Sequence, residues 1–230
     1  MSSPTPLSGK VKVSSAIQIA SSTPVCLAGK AAVAVVDGVH WDGKLPQGTL
    51  REMTSIERVL HPTAYGFYNP KTDEVASKPW FGTKLTFVHE IGHFLDYKGI
   101  DTPFISAAAR SPSMQQWRDA VARSSPVHFL TGLSIGNVVR VEIGGVVYQM
   151  KIDHEDIKHI DYLLKWHELW ARCYLQYVVL KSTDKDIKRR FIHVSREPDI
   201  KLFKEVWPWS EFKKTIAPEI DQIFATLGWI

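Results

Sequence analysis

The sequence predicts an α+β fold, and three observations lead there. A strand–turn–strand pattern occupies residues 64–76, a helical pattern over 83–97 carries two histidines one turn apart, and long 3.6-residue periodicity dominates the C-terminal half.

Taken in order, residues 1–24 are rich in Ser, Thr and Pro and read as a flexible N-terminal arm; residues 25–230 then form one domain. Ala31 to Val36 is a short apolar run before Asp37-Gly38, which predicts a buried strand and a turn. Thr49 to Leu60 places Leu50, Met53, Ile56 and Leu60 on one face, so a helix is expected there, closed off by Pro62. Ala64 to Tyr68 and Glu74 to Ala76 flank an Asn69-Pro70 turn and read as paired strands. Thr83 to Tyr97 is helical, with Leu85, Val88, Ile91, Gly92 and Leu95 facing the interior. A shorter helix is expected over Ser113 to Arg123, and a hairpin over Asn137 to Ile152 about Gly144-Gly145. Tyr162 to Leu180 is a long helical pattern with a break just before it. Further helices follow, one interrupted at Pro218.

Hydrophobic residues make up 44% of the chain and charged ones 23%, the balance of an ordinary globular protein. The net charge of +4 is spread out, with only Lys188, Arg189 and Arg190 in a run, which does not point to nucleic acid as a partner. Cys26 and Cys173 are too few and too far apart for a disulfide framework, so a reducing compartment is expected. No signal-peptide pattern opens the chain and no apolar run approaches the ~20 residues of a membrane span. The expected location is therefore the cytoplasm or a virion, with no membrane partner.

The chemistry concentrates in His89-Glu90-Ile91-Gly92-His93. Four residues advance a helix by about 400°, so His89 and His93 project from one side and can share a tetrahedral metal ion, with Zn2+ the expected cofactor. Glu90 points about 100° further round, where it reaches a water rather than the ion. A shuffled chain of this composition carries the pattern about twice in a hundred. Small Gly92 lets another element approach closely. Catalytic zinc needs a third protein ligand, and His128, His154, Asp156, His159, Asp161, His167 and Glu168 are candidates. Glu168 opens a helical stretch whose apolar face holds Leu169, Trp170, Cys173, Tyr174 and Tyr177; an i, i+4 surface pair with Arg172 explains it equally well. Asp96, three residues after His93, suits a hydrogen bond that orients a ligand imidazole.

His-Glu-Ile-Gly-His-Phe-Leu-Asp over 89–96, followed by Glu-Leu-Trp-Ala-Arg over 168–172, resembles the gluzincin-type metallopeptidases that include the anthrax lethal factor catalytic domain. It also resembles the zincin-like domains of phage head-morphogenesis and polyvalent proteins. The resemblance covers about residues 60–180. It implies a zincin-like fold with a twisted sheet above the histidine helix, Glu168 as third zinc ligand with His167 its rival, and Glu90 as general base. Tyr162 stands one residue out of register for the tyrosine that stabilises the oxyanion in such enzymes, and would point away if one helix ran through both it and Glu168. Tyr65, Gly66, Phe67 and Tyr68 would bind an extended peptide or protein substrate by strand addition. The expected activity is zinc-dependent endopeptidase. The competing reading is a structural or binding component, such as part of a phage particle, that keeps the scaffold without turnover.

Overall fold

A computed structural model describes residues 23–40, 65–72, 74–101 and 105–230, together with the strand pairing of 17–18 and 50–52. Its architecture is α+β. A four-stranded mixed sheet contains β1 (Ile17–Gln18), β2 (Leu50–Glu52), β3 (Gly66–Asn69) and β4 (Glu74–Ser77) in the order β1-β2-β4-β3. The β1–β2 and β2–β4 pairs are parallel and β3–β4 is antiparallel, with Phe67 opposite Ala76. Among the described residues β3 is an edge strand. The N-terminal arm thus supplies a strand, and residues 50–52 of the expected 49–60 helix are extended. The rest of that segment, and Ala64, lie outside the described residues.

The expected strand at Ala31 to Val36 is instead the middle of α1 (Pro24–Val39). Thr23 caps it, accepting a hydrogen bond from Cys26 N–H, and Pro24 sits in its first turn. The apolar run extends upstream through Val25, Cys26, Leu27 and Ala28, too long for an ordinary strand, and Asp37-Gly38 falls inside the last turn. Ala32, Val33, Val35, Val36 and Val39 are all buried.

The site helix α2 (Thr83–Phe94) ends in a wider, π-helical turn over Leu95–Gly99. Only His89 of its twelve residues escapes full burial, so the helix is a core element with sheet, α1 and later helices around it. Chain then passes through α3 (Ala107–Arg110), α4 (Gln115–Ala122) and α5 (Ser125–Thr131) to the hairpin β5 (Val138–Ile143)–β6 (Val146–Lys151). Gly144 and Gly145, with φ of 59° and 82°, make the two-residue turn that L side chains resist.

Two helices then carry the rest of the site. α6 (His154–Leu163) opens on a capping box between Asp153 and Asp156. After Leu164 and Lys165 the chain restarts as α7 (Trp166–Lys181). The break falls two residues later than the sequence pattern suggests. α8 (Lys185–Val194), α9 (Pro198–Leu202), α10 (Trp209–Glu211), a π-helical turn over Phe212–Ile216 and α11 (Ala217–Leu227) complete the helical half. Pro218 sits in the first turn of α11, where its missing N–H costs nothing. α7 packs along α2 at Gly92: a Cβ there would stand 3.0 Å from Ala171 Cα, and Trp170 Nε1 donates to Gly92 O at 3.0 Å.

Candidate metal centre

The α2–α7 contact brings together side chains 75 residues or more apart in sequence. His89 Nε2 stands 3.4 Å from Glu168 Oε1, and His93 Nε2 stands 3.4 Å from Glu168 Oε2. One ligand atom from each of the three lies within 4.8 Å of the others. Two imidazoles and a carboxylate this close together form a donor set that could hold a metal ion. The side chains of His89, His93 and Glu168 are 17%, 11% and 5% exposed, and each lines a cavity. His167, the alternative third ligand, is outside this group; its ring stands 5.7 Å from that of His93.

Electrostatics follow from burial and charge. Glu168 is desolvated, which alone raises a carboxyl pKa, but His89 and His93 outweigh that and hold it well below the ordinary range. His89 is likewise desolvated, and the Glu168 charge and hydrogen bond, with Glu90 beyond, raise it above its ordinary value. Glu90 is buried and raised, by desolvation first, against the lowering pull of the two histidines. His167 is lowered by burial and by His93.

Tyr162 does not point away. The break at Leu164 and Lys165 ends one helix before the next begins, so Tyr162 lies on α6 and donates its hydroxyl hydrogen to Glu168 Oε2 at 2.7 Å. Burial of the hydroxyl and the Glu168 charge raise the phenol pKa. Asp96 departs from expectation. Its Oδ1 accepts from Ala108 N–H at 2.6 Å and no ligand imidazole bonds to it; at the start of the π-helical turn its carboxylate swings toward the start of α3. Burial raises its pKa, opposed by Ala108 N–H and Ser106.

Two cavities, of about 590 and 170 Å3, flank the site and share Gly66, Phe67, Glu90 and Tyr162 on their walls. Both therefore border β3 and Glu90. Tyr65 lines the larger cavity and Tyr68 the smaller. Lys78 N–H donates to Tyr65 O, so by the alternation of an antiparallel pair Gly66 and Tyr68 turn their N–H and C=O groups to the free edge. Gly66 is required there, because a Cβ would stand 2.3 Å from Thr86 Cγ2 and 3.0 Å from Glu90 Oε1. The larger cavity also takes in Trp80, Phe191, Val194, His159, Arg172 and Glu205. Sequence reasoning did not single out His159 as a cleft residue or Glu205 and Trp80 at all, since only tertiary folding brings α6, α8 and the chain after α9 to α2. Arg172 had one local signal, its i, i+4 spacing from Glu168, but the pair is buried rather than on the surface.

Among the described residues no helix is long and apolar enough to cross a membrane. No family model, no curated protein and no solved structure matches the chain.

Proposed function

We propose that the chain is a zinc-dependent endopeptidase of zincin-like fold, with His89, His93 and Glu168 as the zinc ligands. One observation carries this reading: a His-His-Glu donor set, its Glu buried, borders cavities whose walls include the non-ligand carboxylate Glu90 and the edge strand β3. The sequence resemblance to gluzincin-type peptidases supports it independently.

His89, His93 and Glu168 would hold the zinc ion, which would supply Lewis-acid chemistry and lower the pKa of water to about 7. Glu90, its pKa raised by burial, takes the proton of the attacking water and returns it to the leaving amine. Tyr162 turns its hydroxyl from Glu168 to the carbonyl oxygen as negative charge develops there; the raised phenol pKa keeps the donor proton on it. Gly66 and Tyr68 bond the substrate backbone as an added strand, and Tyr65 and Phe67 line the larger cavity. The partner is thus an extended stretch of peptide or protein.

The test compares wild type with Glu90→Gln on a degenerate peptide library near pH 7, with and without a chelator. The ligands are untouched, so the variant should keep its metal and fold while losing activity by at least about a hundredfold. Equal cleavage by the two proteins would falsify the assignment of Glu90. A metal-loaded wild type that cuts neither the library nor a captured partner favours a structural component of an assembly, such as a phage particle.

A further inference from the structure

Arg172 stands one turn after Glu168 on α7 and is 7% exposed, with its guanidinium beside the Glu168 carboxylate. Each edge of that planar group is engaged differently. Nη2 donates to Leu163 O at 2.5 Å, Nη1 donates to Glu205 O at 3.2 Å, and the plane lies over Trp207, 5.3 Å from its ring centroid. Nε faces Glu168 Oε1 at 3.8 Å and has no hydrogen-bond partner among the described residues.

The two carbonyls are informative. Leu163 ends α6 and directly follows Tyr162, so the bond to its carbonyl fixes the elbow that aims the Tyr162 hydroxyl at Glu168. No glycine or proline in Leu163-Leu164-Lys165-Trp166 imposes that elbow. Glu205 lies on the wall of the larger cavity and follows Lys204, whose φ of 50° is in the left-handed region that side-chain-bearing residues resist. A backbone held in that region is one its surroundings over-determine. Arg172 therefore ties the third ligand's helix to the tyrosine on one side and to that cavity wall on the other. Only a rigid fork reaches two diverging carbonyls while stacking on an indole; a lysine ammonium reaches one.

We infer that Arg172 is a positioning residue: it sets the angle between α6 and α7, and through it the separation of the Tyr162 hydroxyl from the Glu168 carboxylate. This rests on the proposed metallopeptidase reading. A purely structural arginine would satisfy the same buried carbonyls, and its loss would lower stability without any specific link to Tyr162.

Cobalt(II) is titrated into wild type, Arg172→Lys, Tyr162→Phe and the double variant by absorbance, and kcat and KM are measured on a peptide that wild type cleaves. Arg172→Lys should weaken cobalt binding about tenfold, as loss of an orienting group around a metal does, and lower kcat about tenfold with KM within about twofold. On the Tyr162→Phe background the same substitution should cost less than about twofold in kcat, because the hydroxyl it positions is already gone. Cobalt affinity within twofold of wild type, or kcat losses that multiply in the double variant, overturns the inference while leaving the metal site intact. Wild type that takes up no cobalt overturns the metal reading and this inference with it. Near-UV circular dichroism checks the fold of each variant, and Arg172→Gln, planar and still a donor, replaces a lysine variant that does not fold.

Discussion

Two desolvated histidines, buried His40 and half-buried His89, show how one residue type is turned to opposite ends. His40 follows α1 and is enclosed by rings of Tyr174, Phe224 and Trp229 at 5.7, 4.5 and 5.9 Å. Its Nε2 meets the Tyr174 hydroxyl at 2.9 Å, and burial alone drives its pKa down to about 4. His89 is also desolvated, yet its pKa is raised, because Glu168 and then Glu90 face it. Burial sets the cost of the charged imidazole in both places. The carboxylate decides whether that cost is overcome, and the same carboxylate groups His89 with His93 where His40 is a core aromatic.

The sharpest way to break the comparison is to remove the carboxylate. Glu168→Gln keeps the volume and deletes the charge, so zinc affinity should fall by at least about a hundredfold, more than an outer-shell change causes. In the metal-free protein the His89 resonance should titrate lower than in wild type. A His89 that titrates unchanged in that variant contradicts the pairing.

A second effect belongs to His40. Its folded pKa of about 4 lies below the ordinary 6.5, so the unfolded chain takes up the proton first. Its neutral burial therefore leaves stability whole above about pH 6.5, and stability is lost as pH falls toward 4, by about 3 kcal/mol over the window. Urea unfolding across that range should show the slope in wild type and a shallower one in His40→Asn. Identical slopes remove His40 as the cause. The smallest effect is expected from His167→Ala, which should leave zinc affinity within about threefold of wild type. A larger loss returns His167 to the ligand set.

The same contrast explains what could be read from the chain. The His89–His93 spacing needs only one turn of helix, so a local pattern reveals it. Gly144-Gly145 and Asn69-Pro70 declare their turns by backbone chemistry in the same way. Glu168 joins those histidines only through the α2–α7 contact, which Gly92 permits but does not by itself reveal. Tyr162 was harder still: its direction depends on a two-residue break with no glycine or proline to mark it, held by Arg172 from nine residues downstream. Ala31 to Val36 misled because a buried apolar run has no period to separate helix from strand, and the Thr23-Pro24 cap is the signal that decides it. Asp96 kept its expected place after His93, but the helix widens there and carries the carboxylate to Ala108 instead.

His89, His93 and Glu168 are proposed to hold one metal ion together. This is tested most directly by metal analysis of wild type and His93→Ala, each purified without added chelator, exposed to equal zinc and passed through a desalting column. About one zinc per wild-type chain and almost none in the variant is the expected result, with both proteins folded by circular dichroism. Equal zinc in the two proteins, or none in wild type, contradicts the proposal.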